Sequence, residues 1–380
     1  MKPGLGPLGG CRVVDFTWAA MGPYAGYLLA ALGAEVIQVS RPLKNSTSTT
    51  AAITQFFDVG KTCVKINVKD DDGKKILIDL ISKSDVFLEN FRPGVVEGLG
   101  LDFDTLTKTN SELVMVSGSA LGRGGRDSAY VGYAPIFSAL SGLADATGFE
   151  DGRPTEIRYP SDLTSGATMA FAALAGLADK ARGGTYVDLA ARDALTWTLA
   201  SSFATTNDVH SKRLGNGHNS IFPHGLYKCK GHDQWVALSV SDDNQIEALC
   251  GLINWRPKDR GEVTNLSDAD KREFDQLIET WTSARNPSDA VTELQELGIA
   301  ASQSADASDI WEDKHIRARE FFRHIDGVGW VASPPWRIKN KQNHAYALTQ
   351  AAASRKRVFH EILGVSLNVI EDLVKRGVIG

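Results

Sequence analysis

Residues 11–39, CRVVDFTWAAMGPYAGYLLAALGAEVIQV, decide the fold class. The apolar run CRVVDF leads into a turn holding Gly22 and Pro23, then into the helical run YAGYLLAALGA and a second apolar run, EVIQV. Two short apolar strands flanking one helix make a βαβ unit. The alternation continues outward with VKINV at 64–68, a helix in DDGKKILIDLISKSD at 71–85 with Leu77, Leu80 and Ile81 on one face, DVFLENF at 85–91, a short helix near Asp104 to Thr107, and LVMVSGS at 113–119. Apolar strands alternating with helices predict a mostly parallel sheet covered on both faces. The first part of the chain, 1–200, therefore reads as a large α/β domain, doubly wound and Rossmann-like.

Farther along, 158–190 reads RYPSDLTSGATMAFAALAGLADKARGGTYVDLA, a helix reaching about Arg182, stopped by Gly183 and Gly184, before another strand. Its many Gly and Ala residues predict close approach to neighbouring backbone and a buried helix. Residues 225–305 change character: the strand pair GLYKCKGHDQWVALSV precedes the charged helical runs NQIEALCGLI, DKREFDQLIETWTS and DAVTELQELG. They predict a smaller α+β domain. Residues 330–380, ending in RKRVFHEILG and in SLNVIEDLVKRG with Ser366 as cap and Gly377 as stop, are expected to return to the large domain.

A length of 380 residues exceeds what one hydrophobic core usually fills, so two domains are expected. With 43% hydrophobic and 23% charged residues the composition is that of a folded globular protein. A net charge of −5 provides no general basic field, which argues against nucleic acid or an anionic membrane as partner. Cys11, Cys63, Cys229 and Cys250 show no CxxC spacing, so no metal site is expected. The N-terminus lacks the charged stub and apolar run of a secretion signal, and no stretch is long enough to span a bilayer. A cytoplasmic location is the expectation.

Within 158–190, Asp162 stands at the mouth of a helix, where the dipole would keep its carboxylate ionised, beside a segment too rich in small residues for an ordinary charged surface. Such a carboxylate can act as a nucleophile. The plainer reading makes Ser161 or Asp162 the N-cap of that helix.

Several blocks then speak together: GPLGGCRVVDFTWAAMGPYAGYLLAALGAEVIQVSRP, GKTCVKINV, DVFLENFRPGVVEGLGLD, VGYAPIFSALSGLADATG and the Asp162 segment, with PHGLYKC, DKHIRAREFF and LVKRGVI farther on. In order and spacing the chain resembles the family III CoA-transferases, a group that includes formyl-CoA:oxalate and carnitine CoA-transferases and their racemase cousins. The resemblance implies transfer of CoA from an acyl-CoA donor to an acceptor carboxylate through covalent aspartyl intermediates, with Asp162 on the catalytic aspartate. It implies no cofactor beyond the substrate coenzyme A, and an interlocked, ring-like homodimer. Positions matching the family's CoA site are Ala19, Ala20, Arg41, Asn90, Phe91, Val95 and Leu99. Arg41 and Arg92 are suited to phosphate, because a guanidinium offers a bidentate fork; a solvated charge at a strand end is the plainer account of each. The glycine-rich run RLGNGHNSIFPHG, 213–225, matches a lid by position and equally fits an interdomain linker, with His218 or His224 able to steer a carboxylate or simply to bond locally.

Several positions depart from the family pattern. Where the acyl-CoA racemases carry a catalytic histidine, this chain has Tyr133, so the pair of proton-shuttling groups is incomplete and transfer is favoured over epimerisation. Ala134 replaces an acidic residue and Ala20 a glutamine found in other members, and AAASRKRVFHE stands where Gly-Glu-His is usual. Two alternatives stay open: an α-methylacyl-CoA racemase or other acyl-CoA isomerase, and a catalytically silent acyl-CoA-binding protein. A dinucleotide site is disfavoured because WAAMGP occupies the first turn in place of GxGxxG.

Overall fold

The computed structural model describes residues 6–42, 56–179, 183–201, 213–218, 220–256, 266–338, 352–353 and 355–380. By contact density the chain divides into two compact units, Met1–Ala144 with Glu156–Val209 and Arg319–Gly380, and Asp145–Thr155 with His210–Ala318.

The first unit is built on strands β1 (Arg12–Phe16), β2 (Glu35–Ser40), β3 (Thr62–Lys65), β4 (Val86–Glu89), β5 (Val114–Ser119) and β6 (Thr185–Ala190). They pair in parallel in the order β3-β2-β1-β4-β5-β6, and the two residues Ala352–Ala353 extend the sheet on β3. This is the doubly wound order, in which the connections reverse direction between β1 and β4. Because side chains alternate along a strand, each strand feeds two cores. Val13, Val36, Leu88 and Val116 point into one, beneath helices α1 (Met21–Ala31) and α4 (Arg158–Ala178), while Val14, Ile37, Phe87 and Met115 point into the other. That second core is covered by α2 (Asp71–Ser82) and the C-terminal helix Leu367–Lys375. Asp70 caps α2 by accepting from Asp72 N at 3.0 Å, and Ile76, Leu77, Leu80 and Ile81 bury its apolar stripe. Two shorter helices, α3 (Ala134–Leu140) and α5 (Ala191–Trp197), pack against α4 and against each other.

The second unit holds an antiparallel sheet of β7 (His224–Lys228), β8 (Trp235–Ser239) and β9 (Ala300–Gln303), with α6 (Asp243–Leu252), α7 (Asp268–Ser283) and α8 (Pro287–Glu296). Phe274, Ile278, Leu249 and Leu294 pack with Val236 and Leu238 into its own core. Helix α7 opens with a reciprocal capping box between Ser267 and Asp270.

The Asp162 helix differs from its expected form in two respects. It begins at Arg158, four residues before Asp162, and its N-cap is Ile157, so neither Ser161 nor Asp162 caps it. Pro160 is accommodated as the third helical residue, where a backbone N–H would have no intrahelical acceptor. At its other end the helix closes at Ala178, with Asp179 as C-cap; the expected end near Arg182 lies outside the described residues. Nor is it buried all round. Ser165, Met169 and Ala173 are buried, whereas Phe171 on the opposite side is 70% exposed.

Candidate active site

A cleft opens at the carboxyl ends of β1, β4 and β5, where the winding of the sheet reverses, the place at which open α/β sheets bind their ligands. The turn after β1 carries Trp18 and Ala19, the turn after β4 carries Asn90–Pro93, and the end of β5 carries Ser119 and Ala120. Asp162 on α4 closes one wall and the segment Tyr130–Tyr133 another, leaving about 90 Å³ of free space.

The first turn is held from beneath. Asp15, fully buried on β1, accepts from Thr17 N at 3.2 Å and from Thr17 Oγ1 at 2.5 Å through Oδ1, and from Lys61 Nζ at 2.7 Å through Oδ2. Lys61, also fully buried, donates to Pro23 O at 2.8 Å and to Gln38 Oε1 at 3.2 Å. One ammonium thus ties β1, β2 and the first turn of α1 together. The close approach needs a glycine, for a Cβ on Gly26 would lie 2.3 Å from Asp15 Oδ2 and 3.0 Å from Lys61 Nζ. Above this pair the chain turns through Ala19, whose φ of 65° is unusual for a residue with a side chain.

Asn90 joins the two turns directly. Its Oδ1 accepts from Trp18 N at 2.9 Å, and its Nδ2 donates to Trp18 O at 2.8 Å. The β4 turn is anchored in turn by Glu89, whose Oε2 accepts from Phe91 N at 3.0 Å and whose other oxygen pairs with Arg123. Arg123 also reaches Glu97 at 2.6 Å. Burial pushes the Glu89 carboxyl up, with Arg123 working against that rise. Phe91 packs on Phe16, ring centroids 4.9 Å apart.

Asp162 is held by backbone. Helix α4 lies tightly on α1, since a Cβ on Gly166 would come within 2.5 Å of Met21 O, and this places the fifth residue of α4 at the cleft. Ser161 turns away and donates to Ile157 O at 2.8 Å. Burial raises the Asp162 carboxyl from 3.8 to about 6. The helix dipole was expected to keep this carboxylate firmly ionised; desolvation by the surrounding apolar walls outweighs it, because Asp162 sits beyond the first turn, where the dipole is strongest. Among the described residues no donor is paired with this carboxylate.

Of the residues singled out from sequence, Ala19, Asn90, Phe91, Arg92, Tyr133 and Asp162 line this one cleft. Ala20 stands beside it as the N-cap of α1, partly buried against the core. Arg41, Val95 and Leu99 do not line it: Arg41 is exposed past the end of β2, Val95 is 41% exposed, and Leu99 packs against the core beneath α2. The glycine-rich run 213–225, apart from Asn219, which lies outside the described residues, belongs to the second unit. There Arg213 pairs with Asp145 at 3.1 Å, His218 Nδ1 accepts from Ser220 N at 3.1 Å, and His224 Nδ1 lies 3.1 Å from Ser239 Oγ. Both histidines therefore have local partners.

Sequence reading missed Asp15, Lys61, Glu89, Arg123 and Ser119. A signal existed for two of them, since Asp15 and Glu89 interrupt apolar strands and a carboxylate buried in a sheet demands a partner. Among the described residues there is no cluster of groups able to hold a metal ion.

Residues 8–352 match the family model described as CoA-transferase family III. The chain belongs to CoA-transferase family III. Similar members include acetyl-CoA:oxalate CoA-transferase of Acetobacter aceti, 30% identical over 65% of this chain and 67% of its own length. Succinyl-CoA:glutarate CoA-transferase of Mus musculus is 32% identical over 65% of this chain and 60% of its own length. Succinyl-CoA:mesaconate CoA-transferase of Haloarcula marismortui is 28% identical over 86% and 87%. The fold of this family III chain is also that of a CAIB/BAIF family protein from Brucella suis, with a TM-score of 0.83 at 23% identity over 94% of this chain and 99% of that one. The expected mixed α/β fold and the expected family are both met. Among the described residues, no helix is long and apolar enough to cross a membrane.

Proposed function

We propose that this chain transfers CoA from an acyl-CoA donor to a carboxylic acid through covalent intermediates on Asp162. The observation that carries this reading is a half-buried carboxylate with no donor paired to it, lining a cleft at the reversal point of the sheet. Asp162 attacks the donor thioester carbonyl, giving a mixed anhydride and CoA thiolate; the thiolate then attacks the aspartyl carbonyl, leaving an enzyme thioester and the donor acid. The acceptor acid runs the same two steps in reverse. An alcohol or thiol nucleophile would take the acyl group but could not itself carry CoA. The bond balance closes without a metal or redox group, so coenzyme A is the sole carrier the reaction requires.

Partial burial suits both halves of this chemistry. It leaves the carboxylate poorly solvated, hence more reactive, and keeps water from the anhydride. CoA would follow the turns of Ala19, Ala20 and Asn90–Arg92 toward Val95 and Leu99, with Arg41 and Arg92 meeting phosphate or carboxylate and Tyr133 bordering the thioester. Relatives named for oxalate, glutarate and mesaconate make a small acid the favoured acceptor class. A cytoplasmic homodimer completes the proposal: Ile136 and Leu140 on α3, Phe171 on α4 and Trp197 on α5 are exposed on mutually packed helices, an apolar face that a second copy would cover.

Incubating the protein with acetyl-CoA and succinyl-CoA, each with oxalate, glutarate and mesaconate, and weighing the CoA products tests the reading. New acyl-CoA species with the wild type and none with Asp162→Ala are expected. Normal turnover by Asp162→Ala overturns it, as does α-deuterium loss from a branched acyl-CoA without transfer.

A further inference from the structure

Ser119 is the last residue of β5 and lines the cleft that holds Asp162. It is 6% exposed, and among the described residues its Oγ has no hydrogen-bond partner. A buried hydroxyl without a partner costs about 1–3 kcal/mol, and such groups persist where a ligand supplies the missing bond. The fold gains nothing evident from this one. Neighbouring polar groups are already engaged: Asn90 spends its amide on both sides of Trp18, and Thr17 spends its hydroxyl on Asp15.

Three features of the cleft specify what Ser119 meets. Asp162 can only accept while ionised, so the charge that builds on a carbonyl oxygen when its carbon is attacked needs a hydrogen-bond donor from another group lining the cleft. The walls beside Ser119 are apolar, with Ala120 next in sequence and Met21 and Phe137 in the lining, so a hydroxyl there acts in a poorly solvated setting where one donor is worth most. Moreover, it is already desolvated in the free protein, so binding substrate does not require stripping water from it.

We propose that the Ser119 hydroxyl is a catalytic hydrogen-bond donor to the acyl oxygen of the group under attack by Asp162. This inference rests on the transfer reading above. As an Asp162 oxygen bonds to the thioester carbon, the carbonyl π pair moves onto oxygen; Ser119 donates to that oxyanion without giving up its proton. Collapse restores the C=O bond, breaks the C–S bond and releases CoA thiolate. No proton is gained or lost in the step.

The test is rapid-quench formation of the covalent Asp162 adduct from acetyl-CoA or succinyl-CoA, read by intact mass and by hydroxylamine release. Ser119→Ala is expected to slow adduct formation roughly 100-fold. Acyl-CoA affinity should stay within about threefold, and the acid limb of the pH profile should not move. Its melting temperature should match or exceed that of the wild type, because an unpaired buried hydroxyl has been removed. Ser119→Thr, which keeps the hydroxyl, should stay closer to the wild-type rate than Ser119→Ala. Adduct formation by Ser119→Ala at the wild-type rate overturns the inference alone, and so does a lowered melting temperature that tracks the loss of rate. An acid limb displaced in Ser119→Ala also overturns it, by showing a bond to Asp162 rather than to substrate. Absence of any adduct in the wild type with either donor, or its persistence in Asp162→Asn, overturns the transfer reading and this inference with it.

Discussion

Two aspartates beside the same cleft have opposite surroundings. Asp15 is fully buried, meets an ammonium at 2.7 Å and accepts two further hydrogen bonds from Thr17. Asp162 is only partly buried, and no donor among the described residues is paired with it. A carboxylate satisfied on every side is committed to architecture, since breaking its bonds to do chemistry would expose buried charge. One left unpaired keeps its lone pairs for a substrate and bears a raised pKa as a consequence.

The largest effect that can break this contrast is on turnover. Asp162→Ala should reduce kcat by at least about 1,000-fold, as loss of a covalent nucleophile does, while acyl-CoA binding measured by calorimetry changes little. A comparable loss of turnover in Lys61→Met with unchanged stability would erase the distinction between the two aspartates. Instead, Lys61→Met should destabilise the fold by about 3–5 kcal/mol in urea unfolding, because it leaves Asp15 buried without its counter-charge. If Lys61→Met unfolds at the wild-type urea midpoint, the buried pair is not what holds the turn.

Next in size is a pH effect. With the Asp162 carboxyl at about 6, the proposed nucleophile is protonated below that value, so single-turnover rates should fall about tenfold per pH unit on the acid side and level off above it. An acid limb near 4 would show the cleft to be freely hydrated. The smallest effect concerns stability. Well below pH 3.8 the carboxyl is protonated in both folded and unfolded chains, and its burial carries no ionisation penalty. Between 3.8 and about 6 the folded chain holds a proton that the unfolded chain has released, so stability declines with rising pH, and above that range the penalty is constant. Asp162→Asn should therefore unfold at a higher temperature than the wild type at pH 8 and at nearly the same temperature near pH 4.

The same contrast marks how far sequence reading reaches. Asp162 stood out because a carboxylate among small residues is anomalous within a few positions of itself, yet the plainer local reading, a helix cap, gave way to a nucleophile only through the resemblance carried by distant blocks. Asp15 was passed over because its partner lies 46 residues away, and no local pattern announces an ammonium arriving from the residue just before β3. The start of α4 was misplaced for a related reason: Ser161 and Asp162 are good caps locally, yet packing against α1 extends the helix back to Arg158. Arg41, Val95 and Leu99 came from matching positions rather than from chemistry, and they fall outside the cleft lining.

What the chain alone determined was the order of strands and helices, their polarity and the apolar face of α2, because these depend on the periodicity of neighbouring residues. The family was likewise readable in its blocks. Only the folded structure decided which strand ends meet, which carboxylate is paired and which is left open, and where a hydroxyl goes unsatisfied. Those are properties of groups brought together from distant parts of the chain, whose charge and solvation are set by neighbours that sequence order does not reveal.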